Sequence, residues 1–218
     1  MIKYLDAHCH ILDTNIPADV GVITNATKPA EWGRVIALAN SHKNIWGAIG
    51  VHPWYAGDLS LDWDLRMYDL LSQNPDIMVG EIGLDKHRPD MDTQISVFAQ
   101  QLEIAHRLQR GIHVHCVGAW DRVLQIFKSH RSKMPPFVLF HRYNGNPDYI
   151  ERLTHDYNAY FSYHKICPDL MNVTPSARML LETDSVTPER IVAFTDTVAT
   201  IFPECNFYNN MQRMLTNG

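Results

Sequence analysis

Residues 77–116 read IMVGEIGLDKHRPDMDTQISVFAQQLEIAHRLQRGIHVHC, three patterns in succession. The apolar run over 77–83 predicts a β-strand. Over 92–110, apolar residues at Ile95, Phe98, Leu102, Ile104, Ala105 and Leu108 recur mostly three and four apart, the spacing of an amphipathic helix, and Gly111 stops it. The run over 111–116 predicts a second strand. In a parallel α/β architecture the carboxyl ends of such strands converge on one face. Glu81 lies near that end of the first strand and His115 near that end of the second.

The alternation continues in both directions. Further apolar, β-rich runs occur near 2–8, 20–25, 45–51, 136–142, 159–163 and 178–183, and helical patterns at 29–42, 62–73, 119–131, 147–156, 188–201 and 206–216. Eight strands with intervening helices predict an α/β fold, a (β/α)8 TIM barrel, as one domain over residues 1–218. Only about ten residues, Pro17 among them, separate His10 from the second strand, and the chain is shorter than the roughly 250 residues typical of this fold. The first β/α unit is therefore expected to be abbreviated. A doubly wound open sheet is the alternative, but it would struggle to bring strands from both ends of the chain to one site.

Six potential metal-binding side chains sit at or near the ends of these runs: His8 and His10 in YLDAHCH, Glu81, His115, His141 in FVLFH and Asp184 in MLLETDS. Side chains two apart on a strand share a face, so His8 and His10 can grip one cation while Ala7 and Cys9 turn the other way. By the same spacing Asp6 is expected to orient a ligand histidine. Singly, each residue has an ordinary explanation. An H-x-H pair arises by chance, Glu81 could pair with Lys86, and Asp184 could cap the helix after Thr187. Their joint arrangement points instead to a metal-centred site. Neutral imidazoles and carboxylates suit Zn, Mn, Co or Fe, and carboxylates with open water positions admit Mg, so one or two divalent ions of open identity are expected as cofactors. Carboxylates can bridge the two ions of a hydrolytic site, which lie about 3.5–4 Å apart.

Composition narrows the function classes. With 45% hydrophobic residues the chain can bury a full core. A net charge of −5 and a pI near 6.1 argue against a protein that coats nucleic acid through a broad basic surface, but not against a nuclease, whose ions supply positive charge locally. No apolar stretch is long enough to suggest a membrane span, and MIKYLDAHCH moves straight into a strand without a signal-peptide pattern, so a cytoplasmic location is expected. No obligate protein partner is evident. Cys9, Cys116, Cys167 and Cys205 lack C-x-x-C spacing and read as free thiols.

Around the metal set, His52 in GVHPW either lines the pocket or begins a turn before Pro53. Arg142, Lys86, Arg88 and Lys165 lie at or just beyond predicted strand ends, where they could reach a phosphate; Arg88 and Lys165 read better as solvated loop charges. Trp54 and Tyr55 could stack on a base, although packing over the barrel mouth suits them better. Ser162 and His164 superficially suggest a hydrolase dyad but lack a nucleophile elbow.

The succession YLDAHCH, GAIGVHPW, VGEIGLD, a helix carrying Gln94, Phe98 and Leu102, then IHVHC, FHRYNG, MLLETDS and NNMQRML resembles the TatD-type metal-dependent deoxyribonucleases, from about residue 4 to residue 215. The resemblance implies an amidohydrolase-type barrel that binds two divalent ions and hydrolyses phosphodiesters, often of DNA. It implies that His8, His10, Glu81 and Asp184 hold one ion, that Glu81, His115 and His141 hold the other, and that Asp184 accepts a proton from the attacking water. Three blocks depart from the family's pattern. His115-Cys116-Val117 stands where the family has H-S-R or H-C-R, His141-Arg142-Tyr143-Asn144-Gly145 stands for H-C-F-S-G, and Glu182-Thr183-Asp184-Ser185-Val186 stands for E-T-D-A-P. Val117 thus removes an expected guanidinium, and Arg142 is the residue that could replace it. Three readings follow: a phosphodiesterase acting on DNA, a metal-dependent hydrolase of a small amide, ester or phosphoester, and a non-catalytic metal-binding protein.

Overall fold

The computed structural model describes residues 2–13, 16–187 and 189–216. Its strands follow chain order: β1 Tyr4–Cys9, β2 Val20–Asn25, β3 Ile45–Ile49, β4 Met78–Asp85, β5 Ile112–Val117, β6 Val138–Phe140, β7 Ala159–Tyr163 and β8 Met179–Leu181. Each pairs in parallel with the next. Past β8 the chain meets β1 again. The Asp184 N–H donates to the His8 carbonyl (3.0 Å) and the His10 N–H to the Ser185 carbonyl (2.8 Å), so the barrel is nearly closed through the residues that bear the expected ligands.

The helices are α1 Trp32–Ser41, α2 Trp63–Gln73, α3 Met91–Leu108, α4 Trp120–Ser129, α5 Tyr149–Tyr157, α6 Pro168–Met171, α7 Glu189–Ile201 and α8 Phe207–Thr216. The β1–β2 connection contains no helix among its described residues, as the short spacing after His10 requires. The β7–β8 crossover is also reduced, to the four-residue α6 and one 3-10 turn. α3 does more than cover the sheet. Its buried Gln101 holds both the N–H (2.7 Å) and the carbonyl (3.1 Å) of Val51, and Gln94 accepts from the Asp85 N–H (2.9 Å), which fixes the chain just beyond β3 and at the end of β4.

Apolar burial falls into two clusters. The larger lies between sheet and helices; the smaller joins Leu5, Ala7, Ile23, Ala48, Leu139 and Leu180 to Met211 and Met214 of α8. The Asn210 amide donates to the carbonyls of Ser176 (2.6 Å) and Met179 (2.8 Å), which seats α8 at the amino-terminal end of β8. Each fully buried methionine or leucine there contributes about 1.5–3 kcal/mol of transfer free energy. With that end plugged, the carboxyl-terminal face is left for the site.

The strand alternation is broken at two places. Register shifts between Asp6 and Cys9 in β1 and between Val79 and Ile82 in β4 mark bulges, which re-aim side chains beside functional sites. The first corrects the simple alternation expected of YLDAHCH. Cys9 turns away from the site into the outer cluster, but Ala7 joins the inner one with Leu5, so the bulge lets Ala7 and His8 both avoid the helices.

Candidate metal centre

Glu81 reaches the middle of the carboxyl-terminal face because its neighbours leave room. A Cβ on Gly80 would stand 2.7 Å from the His113 Cβ and 2.8 Å from Asn25 Oδ1, and Gly83, at φ 144°, would set one 1.9 Å from the His115 carbonyl oxygen. Neither position accepts a larger residue without moving the backbone of β5 or the interior of β2. The glycines of G-E-I-G therefore let β4 press close enough to carry a buried carboxylate among five imidazoles.

That carboxylate divides its oxygens. Oε2 faces His10 Nε2 (3.3 Å) and His8 Nε2 (3.5 Å); Oε1 faces His115 Nδ1 (2.8 Å), His141 Nε2 (2.8 Å) and His52 Nε2 (3.3 Å). Asp184 Oδ1 adds a second carboxylate beside His10 Nε2 (3.1 Å) and His8 Nε2 (4.0 Å). All six residues expected as ligands thus meet in one cluster. His8–His10–Asp184 and His8–Glu81–His141 each bring their donor atoms within 4.8 Å of one another, as does His52–Glu81–His115.

The donor chemistry fits a cation. A metal-bound imidazole hands its other ring N–H to an acceptor, and each of the four expected ligand rings has a polar atom behind it, within hydrogen-bond distance for His10 and His8 and just beyond it for His141 and His115. His10 Nδ1 faces the Asn25 carbonyl (2.9 Å), His141 Nδ1 faces Glu182 Oε1 (3.6 Å), His115 Nε2 faces Asp85 Oδ2 (3.7 Å) and His8 Nδ1 faces His113 Nδ1 (3.4 Å). Among the described residues, buried His8 Nε2, His115 Nε2 and His141 Nδ1 find no hydrogen-bond partner. His52 is different. Its Nδ1 accepts the Trp54 N–H (3.2 Å), so in the neutral ring Nε2 carries the proton and turns it toward Glu81 Oε1 (3.3 Å), which leaves no lone pair for an ion. Both readings of GVHPW hold at once, since the residue caps the 3-10 turn Pro53–Tyr55 and lines the site.

Electrostatically the cluster is poised around an ionised Glu81. Burial opposes its charge, but His141, His52, His10 and His115 hold its carboxyl well below the usual range. Burial likewise opposes protonation of His10 and His141, yet their acidic neighbours prevail: Asp184 and Glu81 raise His10 to about 11, and Glu81 with Glu182 raises His141 to about 10. Burial pushes His8 and His115 down and His113 well down. A cation held by His10 and His141 would have to displace their protons.

At the rim the backbone leaves strand geometry. Arg142 (φ 43°) and Asp184 (φ 49°) occupy the left-handed region, which is uncommon for residues with a side chain. β6 ends at Phe140, so the alternation that would turn Arg142 outward no longer applies; its Nη1 donates to Asp184 Oδ2 (2.6 Å) and its Nη2 to His164 Nε2 (3.3 Å). Buried Glu182 supports this turn, accepting the Arg142 N–H (2.9 Å) and the Ser162 hydroxyl (2.5 Å). Ser162 is thereby a structural donor and no nucleophile. Lys86 is not brought to the cluster. Its N–H bonds the Val117 carbonyl (2.9 Å) and its methylenes lie where a Gly118 Cβ would come within 2.4 Å. Trp54 stands half-exposed, donating to Asp85 Oδ2 (2.8 Å) under the Arg88 guanidinium (3.8 Å), a stacked pair rather than separate loop groups.

Three supporting residues escaped the sequence reading: His113, Asp85 and Glu182. Each lies two positions from a ligand or within its block, and period-two alternation from His115 and from Asp184 would have flagged His113 and Glu182. Asp6 acts otherwise than expected. It accepts the backbone N–H of His8 (3.3 Å) and both the N–H (3.0 Å) and hydroxyl (2.5 Å) of Thr183, so it ties β1 to the segment bearing Asp184 instead of gripping an imidazole.

The chain resembles known proteins in sequence and fold. Residues 5–195 fit the family model described as TatD related DNase. The chain is 27% identical over 210 residues to an uncharacterised metal-dependent hydrolase, YjjV, of Escherichia coli, covering 84% of this chain and 79% of the relative. It is 28% identical over 176 residues to the 3′-5′ ssDNA/RNA exonuclease TatD of Erwinia tasmaniensis, covering 76% and 68%. The crystal structure of YjjV, a TatD homologue from Escherichia coli, superimposes with a TM-score of 0.71 at 25% identity, over 83% of this chain and 78% of that one. With the matched segment spanning the barrel and every expected ligand, the chain belongs to the TatD-related DNase family.

Proposed function

We propose that this metal-dependent hydrolase cleaves phosphodiester bonds in single-stranded nucleic acid, using up to two divalent ions held by His8, His10, Glu81, His115, His141 and Asp184. The observation that carries the reading is the division of the Glu81 carboxylate, one oxygen toward His8 and His10 and the other toward His115 and His141. The exonuclease named among its relatives acts on ssDNA and RNA, which supports the substrate class. Ions bound there supply Lewis-acid charge for the phosphoryl oxygens and acidify water. The chain's own groups do the rest. Asp184 accepts the proton of the attacking water through Oδ1, while Arg142 holds Oδ2 (2.6 Å) and keeps the carboxylate aimed. His52 steadies Glu81, and the burial of His8, Glu81 and His141 keeps bulk water from the inner half of the site.

Dialysis against a chelator should abolish nucleotide release from labelled single-stranded DNA, and Zn, Mn, Co, Fe or Mg added back singly should identify the ion. Full turnover by metal-free protein would overturn the proposal. A second reading, hydrolysis of a small phosphoester, rests on Val117, which offers no donor where the family carries an arginine. Turnover of small phosphoesters without any action on DNA would select it. No helix among the described residues is long and apolar enough to cross a membrane.

A further inference from the structure

Beside the metal centre, between the ends of β6 and β7, lies a cavity of about 430 Å³ lined by Arg142, Asn144, His164 and Lys165 over a floor that includes the buried Tyr143 and Tyr163. Among the described residues no acidic side chain lines it, although the chain carries 24 acidic against 19 basic residues. Arg142 joins the two spaces. One Nη donates to Asp184 at the metal cluster and the other to His164 in the cavity wall, which leaves three of the five guanidinium N–H groups unused. The floor is spent on its own bonds: the Tyr143 hydroxyl donates to the Asn146 carbonyl (2.8 Å) and the Tyr163 hydroxyl pairs with Thr174 (2.7 Å), so the rings present carbon to the cavity. Cationic wall, amide rim and aromatic floor are the chemistry of a nucleotide unit, with a phosphate to pair and a sugar or base to cover.

We propose that this cavity is a second phosphate subsite, in which Arg142 and Lys165 hold the backbone phosphate next to the one being cleaved, so that the enzyme selects a strand over a lone phosphodiester. The proposal rests on the nucleic-acid reading of the metal centre and adds the polyanionic requirement to it. Lys165, expected from the sequence to be a solvated loop charge, becomes a specificity residue because the β7 strand end brings it to the same recess as Arg142.

The test uses the metal-loaded protein, an eight-nucleotide fluorescent oligothymidylate and bis(p-nitrophenyl) phosphate, which has a single phosphate. Lys165 is exposed, so its substitution leaves folding intact. In Lys165→Ala the ratio of kcat/KM on the oligonucleotide to that on the small diester should fall about tenfold, and Lys165→Arg should restore it. The slope of log K against log salt for oligonucleotide binding should become shallower by about 0.7, one single-strand phosphate contact. An unchanged ratio and slope, with the wild type still cleaving DNA, would overturn the subsite and leave the phosphodiesterase reading standing. Lys165-dependent binding of the oligonucleotide by a wild type that does not cleave it would uphold the subsite and overturn that reading.

Discussion

His8, Glu81 and His141 form a floor closed to solvent, whereas Arg142, Asp184 and His164 form a rim that water reaches. The floor rests on tightly packed strands: two glycines admit Glu81, His113 stands behind the His8 ring and Glu182 behind that of His141. The rim rests on two residues at positive φ, held by a guanidinium–carboxylate bond and by Glu182. The difference teaches where each half of the function resides. A buried, over-determined floor suits ions, which need fixed geometry; a rim of partly exposed charges suits a substrate that enters and leaves.

The largest expected effect falls on the floor. Glu81→Ala removes the one carboxylate facing both histidine sets, and metal content by elemental analysis should drop to one ion per chain or none, with kcat lowered by about 10³-fold or more. Unchanged metal content would show that the two sets are held independently and would break the distinction between floor and rim.

Protons should compete with the ions at the same place. His10, raised to about 11, and His141, raised to about 10, are protonated near neutral pH in the ion-free protein, and a ligand imidazole must shed its inward proton. The sign is therefore that affinity rises with pH, by about tenfold per unit for each proton displaced. Calorimetric titration in two buffers of different ionisation enthalpy reads the protons released. Release of none would mean that neither histidine is a ligand.

On the rim, Asp184→Asn should lower kcat by about 10²-fold with KM little changed, because the amide keeps a ligand oxygen but cannot take a proton. Wild-type turnover in excess metal would remove Asp184 from the chemistry. Arg142→Ala should cost about 1.5–3 kcal/mol in kcat/KM on DNA, roughly 10- to 150-fold, and Val117→Arg should recover part of it from the neighbouring strand end. Equal kcat/KM in Arg142→Ala would favour the small-phosphoester reading.

The same contrast explains what could be read from the sequence. Strand and helix periodicity located all eight strands, and the six residues expected as ligands, which the fold brings into one cluster, stood out because residue types that seldom cluster by chance recurred at strand ends. The rim resisted because it depends on where strands stop. Whether Arg142 faces in or out turns on β6 ending at Phe140 and on a positive φ, neither of which periodicity encodes. Asp6 misled for a similar reason: the bulge after it and its bond to Thr183, 177 residues away, are properties of barrel closure. Lys86 sits at a strand end like the ligands, yet Gly118 at φ 59° opens a groove that takes its stem.

The smallest effect, and the sharpest division within the floor, concerns His113. Three of the expected ligand rings face an oxygen, but His8 is backed by another imidazole, whose buried Nε2 finds no partner among the described residues. If His8 gives its Nδ1 proton to His113 Nδ1, a neutral His113 must carry its own proton on that orphaned Nε2, at a cost of about 1–3 kcal/mol. A residue kept for packing alone would be better as leucine. His113→Leu should therefore raise the melting temperature of the ion-free protein by a few degrees while weakening metal affinity about tenfold, the usual order for loss of a hydrogen bond behind a ligand. His113→Asn keeps an acceptor close to the Nδ1 position and should recover most of the affinity. Paired changes of opposite sign, in thermal melts without ion and in competitive metal titrations, distinguish an orienting role from a structural one. A fall in both quantities would make His113 a packing residue and leave His8 oriented by its strand alone.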